Sequence, residues 1–395
     1  MSVSTLTDLL DHLDRGGAAT LNHPGRYPVP EGALIAPARY AGNSGSEFVF
    51  ETRFLDGAFV RTALVDSKGS QANRAELGLV DARHQDGPAR LIPTIAVAYA
   101  DRTLLDLELP HRAVDAHVRA SSENGEPTVK QGWYRALRDA TAVDLSPVFT
   151  AAPAMLAFGG WDSSRKRGQL RLRSLLVSEL FGVVGDDGDR AASVVSKRAG
   201  ARLDPLGQDF ALEPDELQRV LDRQRDEMST KTVEKIEKEI TAARKKGDTL
   251  QPSALGLGGV PPVVDRSAPA YGVAVPEVRR SRTYSLAGLR RLRFGGSRED
   301  DVAARAALLG TLLLGTAYAD ADPEIRAYCD VGAPRATVLL DDEPVDLDLS
   351  IDAAESFLGE AIDRLPERLA WTGQQHLLQG DPGLDRGALA DTPEE

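Results

Sequence analysis

The single cysteine among 395 residues, Cys329, cannot close an internal disulfide. The six histidines are scattered, so no paired spacing of the kind that holds a structural metal exists. A reducing, cytoplasmic setting is expected, with neither metal nor cofactor. Long hydrophobic runs are missing as well. The longest uncharged and largely apolar stretch, residues 306–319, is too short to cross a bilayer and reads as a buried helix. The first residues, MSVSTLTDLLDHLDRGG, lack the basic start and apolar centre of a signal peptide. Secretion is therefore not expected, and no membrane partner either. The sequence also has no G-x-x-x-x-G-K-[ST] phosphate loop, no G-x-S-x-G elbow, no H-E-x-x-H and no Cys-x-x-Cys. No motif demands catalysis.

What is present is an ordinary globular composition, 42% hydrophobic and 27% charged, which excludes collagen, a coiled-coil rod and wholesale disorder. The length admits one large domain with insertions or two domains. A net charge of -13 argues against a nucleic-acid partner until the charges are placed along the chain. Residues 341–395 hold 15 of the 60 acidic and 3 of the 47 basic side chains, leaving 45 and 44 for the rest. The body is balanced, and its cations are clustered.

Short apolar runs bounded by Gly, Pro and Asn predict strands at 32–40, 47–54 and 59–66. They lead into SKGSQANRAELGLVDARH, a helix to about Arg83 with Ser70 or Gln71 as its cap. Runs at 91–99 and 103–109 have β character. Leu172, Leu175, Leu176 and Leu180 share a stripe if 170–181 is helical, which is the expectation there. After Gly182 a polar region opens, and 213–246 reads as long charged helices with few apolar anchors, hence a mobile protrusion. A Gly- and Pro-rich stretch closes that insertion. A strand-like run at 284–289, a helix over 299–319, a strand at 336–340 and a helix over 353–369 complete an α+β pattern without solenoid or propeller repeats.

Three constellations carry chemistry. In the first, Ser67, Lys68, Ser70, Gln71, Asn73 and Arg74 sit at a strand-to-helix turn, where amides, hydroxyls and a cation can meet a phosphate. An ordinary capped helix start is the simpler reading of that segment taken alone. In the second, GGWDSSRKRGQLRLR, five cations (Arg165, Lys166, Arg167, Arg171 and Arg173) accompany one carboxylate, Asp162. Trp161 supplies a ring on which a base can stack, and Ser163, Ser164 and Gln169 supply polar contacts. In the third, Arg279, Arg280, Arg282, Arg290, Arg291 and Arg293 face one nearby acid, Glu277. Guanidinium suits bidentate phosphate contacts, and bridging of the acidic tail by several of these arginines is the lesser alternative. Asp162, Asp186, Asp187, Asp341 and Asp342 are conceivable metal ligands, but adjacent acids in polar loops are more often solvated turns.

Four segments, VDSKGSQANRAE, FGGWDSSRKRG, LAGLRRLRFGG and CDVGAP, together resemble the RAMP-type backbone subunit of the type I-U (or I-G) CRISPR surveillance complex. They are spread from about residue 30 to 340. Lys68-Gly69 and Ser164 depart from the pattern, where Val-Gln and a histidine are commoner. The resemblance implies an α+β fold with a palm related to the RNA-recognition motif (ferredoxin-like), elaborated by finger-like and thumb-like insertions. The palm and finger insertion would occupy 1–185, a charged thumb-like insertion 186–275, the second part of the palm 276–340, and an acidic strand, helix and tail 341–395.

By the same resemblance, copies of the subunit would polymerise along the spacer of a CRISPR RNA and hold it for pairing with invading DNA. Its partners would be that RNA, the target DNA strand, other copies of itself and other subunits of the complex. Such a guide holder grips phosphates and leaves the bases to Watson-Crick pairing, and all three constellations supply suitable groups. The acidic carboxy-terminal region would meet a neighbour's basic surface or shield the RNA groove. The runner-up is a metal-dependent target-RNA endonuclease subunit of a related complex, with Asp162 or Asp66 as the suspect ligand. A free-standing DNA-binding regulator lacks a helix-turn-helix.

Overall fold

The structure, a computed structural model, describes residues 5–42, 45–165, 168–184, 195–196, 198–200, 211–257, 263–265 and 272–385. In chain order the principal elements begin with β1 (Thr20–Asn22), β2 (Gly25–Pro28), β3 (Phe50–Leu55), β4 (Ala58–Asp66), α1 (Lys68–His84), β5 (Thr94–Ala98) and β6 (Leu176–Val183). They continue with α2 (Pro214–Gln224), α3 (Thr230–Lys246), β7 (Glu277–Ser285), α4 (Arg298–Ala321), β8 (Val338–Leu340), β9 (Glu343–Val345), α5 (Ile351–Asp363) and β10 (Gln375–Gln379). The fold is α+β. The described residues divide into two compact units, one built from Met1–Val195 and Gly272–Arg386 and the other lying within Ser196–Tyr271.

In the first unit the main sheet runs β9-β8-β1-β7-β6-β4-β3, each neighbour antiparallel to the next. β2 continues the pairing of β7 beyond the end of β1. Between β1 and β6 in the chain comes α1, and between β7 and β8 comes α4. The strands β8-β1-β7-β6 are therefore the fourth, first, third and second of a βαββαβ chain, with the β3–β4 hairpin added outside β6. A second sheet pairs β10 in parallel with β5.

Register sets which side chains are covered. In β7, Val278, Arg280, Arg282 and Tyr284 alternate onto the covered face, while Ser281 points to solvent. α1 and α4 pack together, and two glycines permit the approach. A Cβ on Gly78 would lie 2.4 Å from the carbonyl oxygen of Gly315, and one on Gly315 would lie 2.4 Å from that of Ala75. α4 starts with a capping box between Ser297 and Asp300 and is buried on nearly every side. It is long and apolar enough to cross a membrane, but 83% of its apolar window is buried inside the protein, as in a core helix.

Three sequence expectations are corrected. The leucines at 172, 175, 176 and 180 do not mark a helix: Leu176–Val183 is the strand β6, paired on both sides by β7 and β4. Pairing on both edges overrides a leucine spacing that suits either period. The cap of α1 is Ser67, whose Oγ accepts from the Ser70 amide at 3.4 Å, and not Ser70 or Gln71. In the second unit, α2 and α3 are not short of anchors. Leu217, Leu221, Val233, Ile236, Ile240 and Leu255 form a core of their own.

Candidate nucleic-acid interface

At the first constellation, β4 delivers Asp66 to the start of α1 with its side chain fully buried. Its Oδ2 accepts from Gln71 Nε2 at 2.8 Å and Arg74 Nε at 2.9 Å, and its Oδ1 accepts from Arg326 Nη2 at 2.8 Å. The rest of the Arg74 fork is spent on the carbonyls of Glu324 and Ile325. Gln71 and Arg74 are thus turned inward, contrary to the sequence expectation, because a buried carboxylate needs compensating donors. The Ser67 hydroxyl and the Ser70 amide are engaged in the cap. Lys68 and Asn73 remain exposed, Lys68 3.5 Å from Glu179.

The second constellation forms a short hairpin in which Gly160–Trp161 pairs with Arg171–Leu172. It follows Gly159, whose φ of +91° and whose Cβ position, 2.8 Å from the Ser174 amide, admit only glycine. Arg112 anchors this turn by donating to the Gly159 carbonyl at 3.0 Å while holding Glu76 at 2.5 and 2.7 Å. On the hairpin the Arg171 guanidinium lies 4.2 Å over the Trp161 ring, and the ring stays 48% exposed. Trp161 Nε1 donates to Gln169 Oε1 at 3.2 Å, and Gln169 Nε2 donates to the carbonyls of Ser163 and Arg165. Arg165 is held by Asp139 at 2.6 Å, while Ser163 is exposed. Lys166 and Arg167 lie outside the described residues. Arg173 is exposed and donates to the Ser285 hydroxyl. With a strand rather than a helix over Leu176–Val183, these cations lead into no helix terminus that could add to an anion site.

Asp162 takes Arg138 Nε at 2.7 Å on one oxygen and the Ser164 hydroxyl at 2.7 Å on the other. Burial pushes this carboxyl up, but the Arg138 guanidinium and Ser164 outweigh it and hold it below the usual carboxylate range. Both oxygens of Asp162 and of Asp66 are therefore occupied by protein donors, so a metal at either would have to displace a guanidinium or hydroxyl.

The third constellation divides. Arg280 and Arg282 have side chains 0% and 4% exposed and converge on Asp320 of α4 at 2.5 and 2.7 Å. Arg282 also reaches Ser178, which bonds Gln71, and Arg280 reaches Tyr27 and His23. The expectation that these two arginines meet a phosphate is corrected: β7 alternation places them beneath the helices. The half-buried His23 is pushed down to about 3 by desolvation and by the two guanidiniums. Arg279 is bound by Asp56 at 2.6 Å and Glu277 at 2.5 Å, and Arg290 donates to the carbonyls of His12 and Ala18 at 2.6 Å. Arg293 meets the Arg290 carbonyl at 2.7 Å and Asp301 at 3.6 Å. Arg291 is exposed, and its side chain has no partner among the described residues.

What the fold brings together is Arg171 and Arg291. Both line one cleft of about 420 Å³ whose walls include Leu145, Leu170, Leu172 and Leu292, with Thr141 and Gln169. A cation from each of two distant segments, an apolar wall and an exposed tryptophan face under a guanidinium are the components for gripping a sugar-phosphate strand and stacking a base. Sequence reasoning missed Arg138, Thr141 and Arg112, which carry no local signal. Arg138 and Arg112 matter through partners 20 or more residues away, and Thr141 through its place in the cleft wall.

Residues 27–185 match the model of the family described as CRISPR-associated protein GSU0053 (Cas_GSU0053). That stretch is less than half of the chain. It contains the turn into α1 and the Trp161 hairpin, and over it the chain is similar to a CRISPR-associated family. No curated protein matches the chain.

Proposed function

We propose that this chain is a non-catalytic backbone subunit of a CRISPR surveillance complex that binds the guide RNA along its spacer and polymerises on it. The observation that carries the reading is the cleft joining Arg171 and Arg291 beside the exposed Trp161. Its cations can neutralise phosphates without reading base edges, as a guide holder requires. Similarity of residues 27–185 to a CRISPR-associated family supports the setting. The strand order β8-β1-β7-β6, with α1 and α4 as the two crossover helices, supports a palm of RNA-recognition type. In this role the RNA partner comes first, and the target DNA strand, further copies and other subunits follow through it.

The test is binding of single-stranded RNAs of unrelated sequence at two salt concentrations, with Arg171→Glu/Arg291→Glu beside the parent. The parent should bind all sequences alike. The double variant should bind at least tenfold more weakly, with a salt slope flattened by about 0.7 for each phosphate that is no longer neutralised. Equal affinity and equal slope would overturn the reading. Purified protein should also carry small RNA of uniform length when made beside a repeat array.

A further inference from the structure

Two apolar features of the first unit lie outside the cleft. At the tip of the β3–β4 hairpin, Phe54 and Phe59 stand opposite each other with rings 5.3 Å apart, edge to face, and are 64% and 76% exposed. Asp56, between them in the turn, is bound by Arg26 at 3.2 Å and Arg279 at 2.6 Å, which fixes the tip to β7. Two aromatic rings presented by an anchored turn form an apolar knob. Elsewhere a groove of about 560 Å³ has Leu10, Val302 and Ala303 in its floor and Asp14, Arg298 and Glu299 on its rim.

Knob and groove are at opposite ends of the unit. The tip is tied to Arg279 near the start of β7, whereas the groove sits at the start of α4, beyond the end of β7. α4 then runs back until Asp320 meets Arg280 and Arg282. At 1.5 Å per residue, Glu299 is about 30 Å along the axis from that contact. A knob at one end and a receptacle at the other form a heterologous pair, which joins copies head to tail in a ring or an open series. Charge is complementary. Arg26 at the tip is paired with Asp56 and Glu277, and on the groove side Arg298 is paired with Asp14 and Arg364 with Glu360, so the charges left to meet are Arg61, exposed two residues after Phe59, and Glu299 on the rim.

We propose that the Phe54–Phe59 turn of one copy docks in the Leu10–Val302–Ala303 groove of the next. This docking deepens the polymerising part of the function proposed above and rests on it. Two rings bury a small area, so the pairwise association is weak, and an RNA that holds neighbouring copies together raises its effective concentration.

The test uses the full chain without RNA, in sedimentation runs over a wide concentration range. The parent should grow beyond dimer as concentration rises. Phe54→Ser/Phe59→Ser removes the knob, and Val302→Glu obstructs the groove. Each variant should remain a monomer where the parent assembles, with at least a tenfold weaker association. Glu299→Arg, which leaves the apolar floor intact, guards against a folding defect in Val302→Glu and should weaken association in the same direction. An equimolar mixture of the knob variant and a groove variant retains one usable knob facing one usable groove, and should stop at dimer. A monomeric parent, variants that assemble like the parent, or a mixture that stays monomeric would overturn the docking. So would a knob variant that assembles normally but loses affinity for short RNA, since the rings would then stack on bases. A chain that binds RNA but fails the mixing test loses only this docking. One that passes the mixing test but ignores RNA loses the guide-holder reading.

Discussion

Replacing Asp320 by Asn isolates what the third basic segment does. Asp320 Oδ2 accepts from Arg280 at 2.5 Å and from Arg282 at 2.7 Å, and its Oδ1 accepts from Arg282 at 2.9 Å. Asn preserves the shape but removes the countercharge from two guanidiniums that are 0% and 4% exposed, and turns an amide N–H toward one of them. Breaking a buried ion pair from one side costs about 3–5 kcal/mol. At roughly 2–4 °C per kcal/mol, thermal unfolding should move down by roughly 6–20 °C. Circular dichroism melts, run beside RNA titrations, check this. The acid limb should change as well. Burial pushes the Asp320 carboxyl up, but Arg282 and Arg280 more than offset it and hold the group below the usual range. A depressed folded pKa gives stability that is present above the unfolded value, near 4, and is lost as pH falls through the folded value. Asp320→Asn should remove that part of the acid sensitivity. If Arg280 and Arg282 instead served RNA, freeing them would raise RNA affinity and leave the melt within about 1 °C of the parent, and that result would refute the structural role.

Gly315→Ala should destabilise the first unit by about 1–3 kcal/mol through overpacking, because the new methyl would sit 2.4 Å from the Ala75 carbonyl; chemical denaturation measures it, and a neutral result would show that α1 and α4 can part freely. Asp106 is wholly buried, with Oδ1 on the Ile95 amide at 3.2 Å and Oδ2 without a partner. Burial, reinforced by nearby Glu76, pushes it up to about 7 against the pull of the Ile95 amide. A raised folded pKa means full stability below about pH 4 and loss as pH rises through 7. Asp106→Asn should flatten that slope and melt higher than the parent at pH 8, as differential scanning of both proteins over pH 4 to 8 would record.

Elements with a strong local signature were legible in the sequence. The helix α4 shows Ser297 and Asp300 at capping-box spacing before an apolar run, and α1 follows a strand ending at Asp66 and the cap Ser67. The β6 strand was not, because Leu172, Leu176 and Leu180 satisfy a helical stripe and a covered strand equally, and the pairing that decides lies 100 residues downstream in β7. The basic segments show the same limit. Composition locates cations but not the direction in which they face. In EVRRSRTYS the period of two does place Arg280 and Arg282 on the side of Val278 and Tyr284, yet nothing local announces the carboxylate at 320 that makes such burial tolerable. Arg171 and Arg291 were both named from charge alone. That they share a cleft is a property of the assembled sheet.

The position of β1 between β7 and β8 bears on how the chain leaves the ribosome. Leu21 lies opposite both Tyr284 and Leu340, so the first strand of the main sheet has no neighbour until most of the polypeptide exists. At elongation rates of about 5–20 residues per second, that is a wait on the order of 15–60 s with an uncovered edge. The α2–α3 pair, closed by contacts between residues 212 and 255, needs no such delay and can mature during translation. Newborn molecules therefore pass through a stage in which a finished helical module interrupts a main sheet still waiting for its last strands, and this stage is the one most exposed to proteases and to mispairing with neighbouring nascent chains.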